Sequence, residues 1–222
     1  MTQLSFSDAE YAGKRKQTRR EKFLAEMEQV VPWKALLAVI EPVYPKAGNG
    51  RRPYALKTML RIHLMQNWFG YSDPAMEEAL YEVAPLRRFA GLSLTRGNVP
   101  DETTILNFRR LLETHDLALD ILATVNAHLS DQGLLLRQGT IMDATIIHAP
   151  SSTKAVKHTE HRKAAVRSKV EHSFRLVKRQ FGFQKVRFNG LVKNTAHLLT
   201  LFVLSNLWMA PRTLLAAGEA RP

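Results

Sequence analysis

The sequence predicts a mainly α protein in which a helical N-terminal region precedes a smaller region of mixed α/β character. Apolar side chains recur at helical spacing along most of the chain, whereas residues 140–147 form one β-branched run that suits a strand. The 222 residues, with 45% hydrophobic and 23% charged side chains, are enough to bury a sizeable core. The absence of cysteine excludes disulfides, thiolate zinc sites and cysteine nucleophiles.

The N-terminal region is predicted to contain a series of short helices. Apolar stripes place them at residues 19–31, from Pro32 to the prolines that follow, and then at 56–68, 74–83, 85–90, 102–112 and 119–129. We read His63 as a core histidine, because it lies on the apolar stripe of its helix. The residues expected to begin or end these helices are Gly70, Ser72 or Asp73, Asp101 and Gly133.

The second part of the chain mixes strands and helices in its pattern. After the strand at 140–147 we expect a polar loop, and then a helix that carries Val166 to Phe181 and ends at Gly182. A short strand is predicted at 183–191, followed by a largely buried helix at 193–210.

Two carboxylates in this part have two possible interpretations each. Asp143 lies inside the β-branched strand, where an unpaired buried carboxylate costs roughly 2–7 kcal/mol, so it is either solvated or a metal ligand on a rigid support. Glu171 borders the apolar face of its helix. Because Arg167 and Arg175 lie four positions before and after it, a surface ion pair is the alternative to a role in a site.

Positive charge is concentrated in two zones. The net charge is +12, of which residues 14–22 carry +5 and residues 155–193 carry +9, so the rest of the chain sums to −2. Such concentration indicates a polyanionic partner, with nucleic acid favoured over a membrane surface. The helix after Asp101 also presents Arg109 and Arg110 on its outer face, as in a helix-turn-helix-like unit, although an ordinary helical bundle fits the pattern equally well.

Several motifs in the same order give the chain a recognisable pattern over residues 20–212. They are Val31-Pro32-Trp33, Pro45-Lys46, Gly50-Arg51, Met59-Leu60-Arg61-Ile62, the run Ser72 to Tyr81, the run Pro100 to Arg109, the run Gly139 to Lys154, and Lys169-Val170-Glu171-His172 continuing to Arg187. With these motifs the chain resembles the insertion-sequence family 5 transposases of the DDE group.

The resemblance implies a phosphodiester chemistry that three carboxylates and two Mg²⁺ ions perform on a ribonuclease-H-like sheet. By motif, the first Asp corresponds to Asp143 and the Glu to Glu171, so these two are the expected catalytic and metal-binding residues. DNA is the expected partner. The residues expected to contact it are Lys14, Arg15, Lys16, Arg109, Arg110, Arg167, Lys169, Arg175, Lys178 and Arg179.

The chain departs from the family pattern between these two carboxylates. Only 28 positions separate Asp143 from Glu171, the sole acid between them is Glu160, and no Asp-Ala-Gly motif with the second catalytic Asp occurs. We infer an internal deletion near residues 153–155 that kept the reading frame. The expected division is a flexible N-terminus at 1–17, a helical DNA-binding domain at 18–133, a truncated catalytic remnant at 134–212 and a flexible tail at 213–222.

The sequence therefore predicts a family 5 type transposase that is defective in cleavage, and three alternatives stay open. A second chain or Glu160 supplies the missing ligand and the protein is active, or the chain is a non-catalytic protein that occupies element ends or inhibits a full-length transposase, or it is a decayed reading frame. The expected partners are the terminal inverted repeats of the element and further copies of the chain or a full-length transposase. We expect no membrane association and a cytoplasmic, nucleoid-associated location, because the longest apolar run, Leu198 to Ala210, is too short to span a bilayer.

Overall fold

A computed structural model describes residues 16–48, 52–93, 99–133 and 174–219, with side chains through residue 210. The described residues are mainly helical and contain no β-strand, which confirms the mainly α prediction for this part of the chain. A single 3₁₀ turn, Glu41–Val43, follows the second helix. In chain order the helices are α1 (Arg19–Val30), α2 (Trp33–Ile40), α3 (Leu56–Phe69), α4 (Asp73–Glu82), α5 (Ala84–Ala90), α6 (Glu102–Thr114), α7 (Leu117–Asp131), a π-helical turn (Leu176–Gln180) and α8 (Leu191–Glu219).

Side-chain caps begin the helices where the sequence placed them. The Ser72 hydroxyl accepts a hydrogen bond from the Ala75 amide at the start of α4. The Asp101 carboxylate accepts from the Thr104 amide at 2.7 Å, so both predicted N-caps are confirmed. A second carboxylate, that of Glu77 on α4, accepts from the Glu102 amide at 2.7 Å and ties the first turn of α6 to α4.

The end of α3 requires a glycine. Gly70 has a φ of +67°, in the left-handed region, and its amide donates to the carbonyl of Gln66 to close the last turn. A Cβ at this position would lie 3.6 Å from the carbonyl oxygen of Phe181, an ordinary van der Waals distance. The left-handed backbone, and not a lack of space, is therefore what favours glycine at the end of this helix.

The core is shared by the N-terminal helices and the last helix. Helix α8 packs against α7, α1 and α3, and it buries Leu201, Val203, Leu204 and Leu207 in the same apolar cluster as those helices. Burying one leucine side chain of this kind contributes about 1.5–3 kcal/mol. In the described structure α8 is thus a member of the N-terminal helical core, although the sequence pattern grouped it with the catalytic remnant.

The strand predicted at 183–191 is wrong. Residues 181–190 are irregular, with left-handed Gly182 and Gly190 at either end. The Phe188 amide donates to the side chain of Asn194, and the Asn194 amide donates back to the Phe188 carbonyl, so these backbone groups are satisfied locally and not by a neighbouring strand.

The strand predicted at 140–147 lies outside the described residues, as does most of the helix predicted from Val166. The end of that helix is described: it closes as the π-helical turn and stops before Gly182, as the sequence predicted. Among the helices that the structure describes, none combines the length and the apolar character needed to cross a bilayer.

Candidate nucleic-acid interface

Arg109 is an internal residue of the helical core. Its two terminal nitrogens donate to the two oxygens of Asp73 at 2.8 and 2.9 Å, which joins α6 to the start of α4. The Gln66 amide donates to the same carboxylate at 2.6 Å, and the guanidinium also lies over the Phe188 ring, 4.8 Å from its centre. Only 19% of the Arg109 side chain is exposed, and its guanidinium is occupied by contacts within the protein. This geometry argues against the predicted DNA contact.

Arg61 is a second arginine that the fold uses internally. Its guanidinium donates to the carbonyl oxygen of Phe89 at 2.6 Å and pairs with the carboxylate of Glu28. It also lies 5.1 Å from the ring centres of both Trp33 and Phe89. Arg61 thus joins α1, α2, α3 and α5 by charge, hydrogen bonds and ring contacts.

Arg87 is the most buried arginine of the described chain, with 2% exposure. It donates to the carbonyl oxygens of Leu80 and Tyr81 at 3.2 and 2.7 Å, near the C-terminal end of α4. A cation at this end satisfies orphan carbonyls and complements the helix dipole. Arg61 lies in the motif Met59-Leu60-Arg61-Ile62 and Arg87 follows the apolar Leu86, but no pattern in the sequence indicates that the fold encloses either guanidinium.

A large group of exposed cations that are close together in the chain lies in residues 174–193, which we call the basic segment. It contains no acidic residue, and all six of its basic side chains are exposed. Three of them, Arg175, Lys178 and Arg179, are among the predicted DNA contacts, whereas Arg167 and Lys169 lie outside the described residues. The basic side chains of the segment are Arg175, Lys178, Arg179, Lys185, Arg187 and Lys193.

The first basic zone is described from Lys16 onward, with Lys14 and Arg15 outside the described residues. Its one acid, Glu21, belongs to a capping box: the carboxylate accepts from the Thr18 amide at 2.6 Å and from the Thr18 hydroxyl at 2.8 Å. The Glu21 carboxylate therefore stabilises the start of α1. Three basic side chains near it in the chain are exposed: Lys16, Arg19 and Lys22.

An aromatic cluster brings the two basic zones together. The Phe23 ring, one residue after Lys22, lies 4.4 Å from the ring centre of Trp208 on α8. Trp208 in turn lies 5.8 Å from Phe181, which follows the π-helical turn with Lys178. Residues far apart in sequence are thus joined through three packed rings.

A second set of contacts joins the same zones at the end of α3. The guanidinium of Arg20 lies over the Phe69 ring, 5.0 Å from its centre, and Arg187 donates to the carbonyl oxygen of the adjacent Gly70 at 3.4 Å. One cation from each zone therefore contacts the same helix end. We call the exposed cations of 16–22 and of the basic segment together the cationic surface.

A small cavity of about 50 Å³ lies between α3, α6, α7 and the basic segment, and His63 and His197 line it. Burial, and then the charge of Arg109, lowers the pKa of His63 to about 4. Burial, and then the charges of Arg187 and Arg109, lowers the pKa of His197 to about 4 as well. Both imidazoles are neutral at pH 7, and the prediction that His63 is a core residue is confirmed.

The predicted catalytic residues Asp143 and Glu171 lie outside the described residues. Within the ranges that are described, no group of three or more metal-ligating side chains comes together. Arg110 is exposed on α6, beside the internal Arg109, as the sequence predicted for its outer face.

Two protein-family models match the chain, and both are transposase models. Residues 12–111 match "Transposase domain (DUF772)", which covers α1 to α5 and most of α6. The helical region is therefore similar to a transposase domain. No solved structure matches the chain.

The second match indicates which type of transposase the chain is similar to. Residues 150–207, which include Glu171, the basic segment and much of α8, match "Transposase DDE domain". Together the two matches support a DDE transposase, a protein that acts on DNA, and a DDE domain implies a divalent metal cofactor in general.

Proposed function

We propose that this chain is a transposase of the insertion-sequence family 5 type that binds DNA through the cationic surface and does not cleave it. The observation that carries the proposal is the meeting of the two basic zones at Phe23, Trp208 and Phe181. Two separate charge runs would each attract a polyanion weakly, whereas one surface neutralises several adjacent phosphates at once.

The charge balance of the two arginine classes supports the same proposal. Arg61 and Arg109 are paired with carboxylates of the fold, so their charges are compensated inside the molecule. The basic segment has no carboxylate of its own, and its six cations are exposed. On the basis of their exposure we assign Lys16, Arg110, Arg175, Lys178 and Arg179 to phosphate contacts, together with Lys14, Arg15, Arg167 and Lys169 from the sequence.

The proposed lack of cleavage rests on the carboxylate count. Asp143 and Glu171 are the ligands we assign to a divalent ion, and their hard oxygen donors suit Mg²⁺. A two-metal site needs a third carboxylate, and between these two residues the sequence offers only Glu160. An internal deletion that removed the second Asp, and left a truncated remnant of a ribonuclease-H-like catalytic domain at 134–212, accounts for this count.

The proposed partners follow from the same reading. The helical region at 18–133, completed by α8, would hold the cationic surface against the terminal inverted repeats of the element in the nucleoid. A copy that binds ends without cutting them would compete with a full-length transposase for those ends, or would join it in mixed oligomers. Inhibition of transposition is the expected biological result.

The test is cleavage of a labelled duplex that carries the element ends, with Mg²⁺ or Mn²⁺ present. We expect end binding without cleavage by the wild-type chain. Asp143→Asn and Glu171→Gln serve as matched variants, and they should bind as the wild type does. Cleavage by the wild type that both variants lose would show a working metal site and would overturn the proposed defect.

A further inference from the structure

The basic segment carries an exposed apolar tip as well as its cations. Val186, Leu191 and Val192 are 64%, 83% and 66% exposed, and Leu191 and Val192 form the first turn of α8. Cations stand beside them in the chain, with Lys185 and Arg187 on either side of Val186 and Lys193 after Val192. Three large exposed aliphatic side chains within seven residues of chain indicate a contact surface. We call Val186, Leu191 and Val192 the apolar tip.

The bend that precedes Leu191 is held by Asn194, one turn into α8. The Asn194 amide donates to the carbonyl oxygens of Phe188 and Gly190 at 2.6 and 2.7 Å, and its oxygen accepts from the Phe188 amide at 3.2 Å. Gly190 has a φ of +94°, which a residue with a Cβ rarely adopts. A bend that three hydrogen bonds of the Asn194 side chain stabilise therefore precedes Leu191.

Phe188 anchors the bend to the body of the protein. Its ring lies 4.8 Å from the guanidinium carbon of Arg109 and 5.3 Å from the ring centre of His197. Because Asp73 holds Arg109 in place, the anchor is fixed on the core side by a bidentate ion pair. Leu191 and Val192 thus project from a preorganised support, and little conformational entropy is lost when they are bound.

We propose that the apolar tip inserts into a groove of the DNA that the cationic surface binds, as an apolar wedge against the bases. This inference rests on the proposed function and adds to it a contact that reads shape and deformability rather than charge. Lys185, Arg187 and Lys193 would hold the phosphates on either side of the inserted aliphatic side chains.

Charge complementarity favours DNA over a second copy of this segment as the occupant. Every side chain among residues 174–210 that is charged at pH 7 is a lysine or an arginine, so a second copy of this segment would be repelled. A duplex offers the opposite charge within reach of each aliphatic side chain, together with apolar base faces and thymine methyl groups. An apolar surface flanked on both sides by cations fits that combination.

The test compares Leu191→Ser and Val192→Ser with the matched control Leu119→Ser. Leu119 is also an exposed leucine, 59% accessible, but it lies on α7 beside Asp120 and is not part of the basic segment. The purified full chain is titrated onto a random-sequence duplex with a fluorophore at each end. The measurements are the dissociation constant at several salt concentrations, the energy transfer that reports bending, and the sedimentation of the protein without DNA.

We expect Leu191→Ser to weaken binding by about ten-fold, since an inserted leucine side chain is lost, and to reduce bending, while the salt slope stays as in the wild type. Lys193→Ala should instead lower the salt slope by about one phosphate contact. Leu119→Ser should leave all three measurements unchanged.

Two results would overturn the inference. Either affinity and bending are the same in Leu191→Ser and the wild type, or this variant changes the sedimentation of the DNA-free protein, which would identify a protein interface. Failure of the proposed function would look different, because the wild-type affinity itself would then be independent of salt.

Discussion

The helical core and the basic segment use the same kind of side chain in opposite ways. In the core, Arg61 and Arg109 are enclosed by carboxylates, carbonyl oxygens and aromatic rings. In the basic segment, Lys178 and Arg179 are exposed, and no acid occurs between residues 174 and 193. Positive charge is abundant in both regions, but in the second region every basic side chain is exposed.

A cation therefore predicts a nucleic-acid contact only when no carboxylate or carbonyl oxygen of its own protein compensates its charge. A buried or partly buried guanidinium must be paired, because an unpaired charge away from water is costly. An exposed cation without neighbouring acids keeps its field, and that field reaches about 10 Å at moderate salt. Net charge alone hides this distinction.

The largest effect is expected in the core, where α8 packs. Leu204→Ala removes a fully buried side chain of α8, and we expect the free energy of unfolding to fall by about 3 kcal/mol, from lost burial and a residual cavity. Leu191→Ala, on the same helix but exposed, should change it by less than about 0.5 kcal/mol. Urea denaturation followed by circular dichroism measures both. Equal, small effects would mean that α8 is not part of the core.

The next effect separates two adjacent arginines of α6. Arg109→Ala leaves Asp73 without its bidentate partner, and we expect a loss of about 2 kcal/mol of stability. Arg110→Ala should be close to neutral in stability, because its side chain is exposed. The same urea denaturation applies. If Arg109→Ala were the neutral variant, the internal assignment of this residue would fail.

A pH dependence should come from the neutral histidines of the cavity. The unfolded chain protonates His63 near pH 6.5, whereas burial and Arg109 hold the folded pKa at about 4. The unfolded state thus binds more protons than the folded state between these two pH values. The contribution of His63 to the free energy of unfolding is therefore fully present above pH 6.5 and is lost as the pH falls toward 4. We expect about 2 kcal/mol less stability at pH 5 than at pH 7 from His63 alone.

His63→Gln is the variant that checks this assignment, with unfolding measured at both pH values. It should flatten the dependence whatever it does to stability at pH 7, because the titrating group is gone. His115→Gln, a change at an exposed histidine that ends α6, should keep the wild-type dependence. A His63→Gln profile as steep as that of the wild type would contradict the assignment.

The smallest expected effect is on DNA binding by single cations. Lys178→Ala and Arg179→Ala should each reduce the slope of log affinity against log salt by about 0.9, the value for one phosphate contact on duplex DNA. Lys34→Ala, at an exposed lysine of α2 outside the cationic surface, should leave the slope unchanged. If the slope of log affinity against log salt were the same for all three variants, DNA binding would not depend on the cationic surface in particular.

Local signals in the sequence were sufficient for the described helices. Asp101 and Ser72 cap helices by bonding an amide three residues ahead, and Gly70 ends one through its own backbone freedom, so their effects depend on near neighbours alone. The apolar period placed His63 inside for a similar reason.

Long-range contacts set the limits of the prediction. Whether Arg109 faces DNA or Asp73 depends on a residue 36 positions away, and no periodicity reports that pairing. The strand predicted at 183–191 failed because Asn194 satisfies the Phe188 backbone, an arrangement without a repeating pattern. The place of α8 in the N-terminal core likewise depends on packing across the whole chain.

Because α8 packs on α1 and α7, the core can be completed only after α8 has been synthesised. The ribosome releases α1, α3 and α7 long before α8, so the groove that receives Leu204 and Leu207 stays open while the rest of the chain is made. Closing it joins residues with large sequence separation, which is slow compared with helix formation. A nascent chain that stops before residue 201 would therefore expose the apolar side chains that α8 covers in the folded protein.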